Sequence, residues 1–203
     1  MNIQPVTGQT YRQAAQVLGR AFMSDPVSLA VYKDLSPERM LQALINDFRA
    51  EIRICLHRAY PIQVSEGSNL LGVAVIYPPG RYPLPRLAQW WLLVQSFVEN
   101  GFYDIRDWTS WLGKVEHYHP REPHYYLAYI GVHPECQGRG VGSAMLQHLV
   151  DKADQDQVGC HLENANPRNL PIYERFGFQI SRQIELIGLS TWLMWRSPTE
   201  KPG

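Results

Sequence analysis

The chain has 203 residues, 45% of them hydrophobic, which suits one globular domain with a substantial core. Nineteen basic and nineteen acidic residues give a formal charge of zero, so no global field draws it to nucleic acid or an anionic membrane, and attraction for a polyanionic ligand must be local. Three widely spaced cysteines, Cys55, Cys136 and Cys160, lack metal-ligand spacing, and no window approaches the roughly 18–20 apolar residues of a membrane span, which together read as a cytoplasmic protein with free thiols.

Asn2 to Val6 reads as an edge strand. From Gln9, the spacing of Ala14, Ala15, Val17, Leu18, Ala21 and Phe22 predicts a helix, which Ser24-Asp25-Pro26 breaks. Asp25 reads as a turn or capping residue. A second helix is expected from Ser36 as cap, with Pro37 in its first turn, through Met40, Leu41, Leu44, Ile45 and Phe48. Tyr60 to Glu66 and Leu70 to Tyr77 predict a hairpin around Gly67-Ser68-Asn69, with Gly72 marking a bulge or a close contact.

Residues 83–120 form an aromatic-rich, largely helical insertion carrying Trp90, Trp91, Phe97, Trp108 and Trp111, too short to hold a core of its own. These aromatics either pack an amphipathic helix onto a sheet or line a pocket for a flat acceptor. His117 and His119 lie close together there, but no carboxylate or cysteine completes a ligand set at familiar spacing, so no metal is expected.

The stretch that follows carries the chemistry. An apolar strand, Tyr125 to Val132, runs into Gln137-Gly138-Arg139-Gly140-Val141-Gly142, and Met145, Leu146, Leu149, Val150 and Ala153 then make one helical stripe. Strand, glycine loop and helix together form a phosphate cradle, because glycines let the backbone approach a ligand and the N–H groups opening the helix carry partial positive charge. The spacing is not that of a nucleotide P-loop, and no leading Gly-x-Gly with an acidic ribose reader supports a dinucleotide. A strand, Cys160 to Asn164, the run Asn166 to Phe178, and a closing hairpin of Phe178 to Leu186 with Thr191 to Arg196 complete the chain.

Gln137, Gly140 and Gly142 resemble the Gln/Arg-x-x-Gly-x-Gly/Ala signature of the GNAT family of N-acetyltransferases. Asn169, Tyr173 and Gly177-Phe178 are similar to the family's second signature. The resemblance implies an α/β (α+β) fold, a mixed and largely antiparallel sheet with helices on both faces and a splayed central strand pair. It implies acetyl-coenzyme A as cofactor and direct transfer to a small-molecule amine; the balanced charge and the lack of a span predict no nucleic-acid or membrane partner. Protein N-termini as acceptors, or a coenzyme A-binding sensor without turnover, are the competing readings. By resemblance, Gln137, Gly138, Arg139, Gly140, Val141, Gly142 and Ser143 bind the pyrophosphate. Backbone groups of Ile130, Gly131 and Val132, on a bulged strand, orient the acetyl group, Asn169 holds the pantetheine arm, and Asp25 borders the acceptor pocket.

Acetyl transfer needs a held thioester, a neutral amine, a stabilised oxyanion and a proton for the departing thiolate. Tyr173 is the expected proton donor, since a phenol near pKa ~10 stays protonated at neutral pH. For the general base Glu163 stands first, His161 second and His124 third. Glu163 and His161 share one face of their strand. Cys136, beside the loop, reads either as a nucleophile or as a small loop residue.

Overall fold

The computed structural model describes residues 1–100 and 113–199. Helix α1 (Tyr11–Ala21) buries Ala14, Ala15, Val17 and Leu18, the stripe that predicts it. After a tight turn at Phe22–Ser24 the first helix is broken at Ser24-Asp25-Pro26, as predicted, and Asp25 serves as a cap. The Asp25 carboxylate accepts from the N–H groups of Val27 and Ser28 at 3.0 and 3.4 Å, and Pro26 opens a short helix, α2 (Pro26–Val31). The proline that stops one helix starts the next, because its fixed φ and missing N–H suit a first helical position. Helix α3 (Pro37–Cys55) begins as predicted, with the Ser36 hydroxyl accepting from the Arg39 N–H at 3.4 Å.

The insertion is helical over α4 (Arg86–Asn100) and over residues 113–118 (α5). Ala88 and Leu92 pack inward, whereas Trp90 is 68% exposed. Trp108 and Trp111 fall outside the described residues. Among the described residues, no helix is long and apolar enough to cross a membrane.

The sheet comprises β1 (Asn2–Pro5), β2 (Tyr60–Glu66), β3 (Asn69–Tyr77), β4 (His124–Val132), β5 (Gly159–Asn164), β6 (Gln179–Leu186) and β7 (Leu189–Arg196). Their spatial order is β1-β2-β3-β4-β5-β7-β6, and only the β4–β5 pair is parallel. β3 reads as an unbroken apolar run because both of its faces are covered. Ala74 and Ile76 face helix α6 (Val141–Asp156) through Met145, Leu146 and Leu149, while Val73, Val75 and Tyr77 face α1 and α3. Gly72 makes the close contact that its position suggests, since a Cβ there would lie 2.8 Å from Val141 Cγ1.

Two irregularities shape the centre. β4 and β5 pair only at His124–Gly159, Tyr125–Cys160 and Tyr126–His161, so the strands part beyond Tyr126. β4 also bulges: its register against β3 shifts between Leu127 and Tyr129, leaving Ala128 as the extra residue. The bulge is expected around Gly131, but Gly131 pairs regularly with Val73, and its missing side chain serves packing instead, because a Cβ there would lie 2.8 Å from Leu18 Cδ2.

Helix α7 (Leu170–Arg175) precedes the closing hairpin, whose link is a two-residue turn with Ile187 and Gly188 both at positive φ. Arg196 on β7 grips the C-terminal part of α6 by a bidentate pair with Asp154 at 2.7 and 2.8 Å and donates from Nε to the Phe176 carbonyl at 2.9 Å. Arg196 holds the Asp154 carboxyl down at about 2.

Gly159 sits against the indole of Trp195, and a Cβ built there would lie 2.2 Å from Cζ2 of a ring fixed in the sheet. Gly159→Ala is expected to cost about 1–3 kcal/mol through overpacking. Thermal melts of the two proteins check this; an unchanged midpoint would mean that the ring moves aside freely.

Candidate active site

The glycine loop is built to expose backbone donors. Gly138 and Gly140 adopt φ of 74° and 79°, which side-chain-bearing residues rarely take up, and Gly140 ends the loop at the start of α6 with no side-chain cap. The first closing bond of the helix runs from the Ala144 N–H to the Gly140 carbonyl at 2.9 Å, so the N–H groups of Val141, Gly142 and Ser143 precede the helical ladder. With the helix dipole behind them they suit a pyrophosphate. Arg139 pairs with Glu66 at the end of β2, Nη2 to Oε2 at 2.7 Å. Gln137 and Gly138 lead into this cradle, and Cys136 is partly buried beside it, 3.9 Å from Arg139 Nη1.

Where β4 and β5 part, a cavity of about 160 Å³ opens between α2, α3 and the two strands. Ile130, Glu163, Asn169 and Tyr173 line it; Gly131, Val132, His124 and His161 do not. Tyr173 is buried against Phe178, and burial, with Asp25 nearby, pushes its phenol well above the ordinary range. The Asn169 side chain does not cap α7, and the neighbouring turn is capped by Asn166, which accepts from the Arg168 N–H at 3.1 Å. Asp25 both caps α2 and lines the cavity, and desolvation raises its pKa. None of the described residues of α4 or α5 lines it.

The hydrogen bonds around Glu163 fix a proton. His161 Nδ1 lies 3.0 Å from the Met194 carbonyl, which only accepts, so Nδ1 carries hydrogen. His161 Nε2 lies 2.9 Å from Glu163 Oε1, so a proton must also sit between these two atoms. The Tyr126 hydroxyl bonds to Glu163 from the adjacent strand. His124 is committed elsewhere. Its Nδ1 donates to the Glu122 carbonyl at 2.6 Å, leaving Nε2 to accept from His119 Nε2 at 3.0 Å, and desolvation lowers the pKa of both rings, that of His119 to about 3. The fold, not the chain spacing, also brings His119, His161 and Glu163 together, with ligand-type atoms within 4.8 Å of one another. That arrangement corrects the expectation that no carboxylate joins the histidines, although the His161–Glu163 contact is already bridged by the proton.

Sequence reasoning missed Glu51. It sits one turn after Asp47 on α3, lines the cavity, and bonds to the Tyr129 hydroxyl. Asp47 in turn accepts from the Tyr32 hydroxyl. The only signal was two acids four residues apart within a helix whose neighbours Leu44, Phe48 and Ile52 face the core. Desolvation, reinforced by Asp47, raises the Glu51 carboxyl to about 7 from 4.5. The folded protein therefore binds more protons than the unfolded chain between those values, and stability falls as pH rises through that window, by about 3 kcal/mol in all. Glu51→Gln should accordingly melt higher than the parent at pH 8 and no higher below pH 5. Equal midpoints at pH 8 would show that the carboxylate is solvated in the native state.

Known proteins resemble the chain in sequence and in fold. A family model for the acetyltransferase (GNAT) family matches residues 29–178. An N-acetyltransferase of Schizosaccharomyces pombe of uncharacterised role is 26% identical over 198 residues, spanning 92% of this chain and 77% of its own. The L-amino acid N-acyltransferase MnaT of Escherichia coli is 30% identical over 109 residues, 49% of this chain and 56% of that protein. In fold, the chain is similar to a Corynebacterium glutamicum structure titled histone acetyltransferase HPA2 and related acetyltransferase (TM-score 0.72, 24% identity, 98% and 97% of the two chains). It is also similar to the Thermoplasma acidophilum PaiA N-acetyltransferase in complex with coenzyme A (TM-score 0.59, 10% identity, 97% and 98% covered). With the parted strands, the glycine loop and a family match over well more than half of its length, this chain belongs to the acetyltransferase (GNAT) family and is an acyl-transferring enzyme.

Proposed function

We propose that the protein transfers the acetyl group of acetyl-coenzyme A directly to the primary amine of a small molecule, in the cytoplasm. The observation that carries this reading is the cavity at the strand split, where Glu163 from β5 and Tyr173 from α7 line one space. The uncapped N–H groups opening α6 support binding of the cofactor's pyrophosphate, and Asn169, whose side chain caps no helix, is the residue assigned to its pantetheine arm. Bound there, acetyl-coenzyme A supplies an activated thioester.

The residues of the chain then have separable tasks. With the shared proton on His161, the second carboxylate oxygen of Glu163 takes a proton from the ammonium form of the acceptor and so frees its lone pair. Tyr173 holds a proton for the sulfur that leaves, and Phe22, Phe48 and Tyr129 wall the chamber with tilted and edge-on rings at centroid distances of 5.1–6.1 Å. In balance, a carbon–sulfur bond breaks, a carbon–nitrogen bond forms, the thiol keeps one proton and solution receives another.

The run from Pro167 to Tyr173 and Arg121-Glu122-Pro123 also resemble puromycin N-acetyltransferase, which makes puromycin one acceptor to test. Free-thiol release from acetyl-coenzyme A against puromycin, aliphatic amines, amino acids and short peptides tests the proposal. Release dependent on a small amine supports it; release with peptides alone would favour protein N-termini, and tight cofactor binding without release would favour a sensor.

A further inference from the structure

The cavity has a charge pattern that its family membership does not dictate. Asp25, Asp47, Glu51 and Glu163 line it, and among the described lining residues there is no lysine, arginine or histidine. The carboxylates stand on three different elements and are individually anchored. Asp25 is held by backbone N–H groups at the start of α2, Glu51 on α3 by the Tyr129 hydroxyl, and Glu163 on β5 by Tyr126 and His161. Tyr126 and Tyr129 lie three residues apart on β4, on the order of 10 Å along the strand at about 3.3 Å per residue. Glu163 and Glu51 thus anchor to separate points on one wall. Acids held together in a cavity of apolar and aromatic residues repel one another, and a cationic guest relieves that repulsion. About 160 Å³ is room for a small aliphatic molecule, the share of roughly five waters.

We infer that the acceptor carries two basic nitrogens and no carboxylate: one amine is delivered to Glu163 for acetylation, while the second, as a cation, is received by Glu51 with Asp25 and Asp47. This rests on the acetyl-transfer reading and narrows its substrate class. An α-amino acid is disfavoured, because its carboxylate would enter a chamber already lined by four acids and meet no described cation. The groups around Glu51 agree: Asp47 and Cys55 on its own helix, Tyr129 on β4, Tyr77 on β3, and Tyr82 before α4 offer hydroxyls, a thiol and one further acid. With Glu51 raised to about 7, arrival of a cation expels a proton near neutral pH.

The test compares α,ω-diaminoalkanes of three to six carbons with the matched monoamines and ω-amino acids, both for acetylation and for calorimetric binding in the presence of coenzyme A. A diamine is expected to exceed its monoamine by about ten- to a hundredfold in kcat/KM, the worth of one charge-assisted hydrogen bond, and the amino acid by more. In Glu51→Gln that ratio should fall towards one, mainly through KM. Proton release on diamine binding at pH 6.5–7, read from buffers of different ionisation enthalpy, should be lost in the same variant. A monoamine or amino acid used as well as any diamine, or a ratio untouched by Glu51→Gln, overturns the inference while leaving acetyl transfer intact. Diamine binding with proton release but no acetylation would do the reverse. Absence of diamine binding overturns the inference whatever is acetylated.

Discussion

Tyr173→Phe is expected to lower the rate of acetyl transfer by about 10²- to 10⁴-fold, the range typical of a positioned general acid, with coenzyme A binding changed less than about twofold. The phenol lies in the cavity at the strand split, and burial with Asp25 nearby pushes its pKa up, so it is fully protonated at neutral pH. Transfer to a thiolate whose conjugate acid has pKa about 8.5 is uphill, so the phenol protonates the sulfur as the carbon–sulfur bond breaks and regains its proton from the solution. Phenylalanine keeps the ring packed against Phe178 and removes only the hydroxyl, so a collapsed fold would not explain a loss. Single-turnover kinetics together with calorimetric binding of coenzyme A separate the two effects. An unchanged rate removes Tyr173 from the chemistry, and an equal loss of rate and affinity makes it a binding residue.

Glu163→Gln is expected to cost about 10²- to 10³-fold in kcat/KM at pH 7. The deficit should narrow as pH approaches the acceptor's own pKa, about 10.4 for an alkylamine, because solution then supplies the free base. Glutamine keeps a hydrogen-bond partner for Tyr126 and for His161 but cannot take a proton. A pH–rate profile from 6 to 10 on both proteins checks this. A deficit that stays constant across the range would mean that Glu163 positions the acceptor and leaves deprotonation to another group, of which Glu51 is the first to examine.

The chain announces its fold more fully than its site. The α6 stripe, the Ser36 cap and the β2–β3 hairpin each follow from local periodicity or turn chemistry, and each is present in the structure. Gly138 and Gly140 are legible for the same reason, because a backbone conformation restricts its residue type locally. The bulge was expected near Gly131 and stands at Ala128, since a residue that lacks a side chain to fit against Leu18 looks, in one dimension, like a residue that lacks one to permit distortion. Glu51 was missed because its significance depends on what faces it across 78 residues of chain, Tyr129 of β4, and no spacing rule reports that. His124 was ranked as a base from strand alternation, yet its lone pair is taken by His119, a loop residue whose arrival the strand pattern does not encode.

The three-rung junction between β4 and β5 also bears on how the domain carries mechanical load. Four strands lie on one side of it and three on the other, joined by so few backbone bonds that the sheet is nearly two plates. Helix α6 crosses the seam, touching β2, β3 and β4 on one plate and β5 on the other, and Arg196 clamps its far end to β7. Shear between the plates is thus resisted by a packed rod and a guanidinium clasp, so the gap can stay open without the two halves sliding past each other.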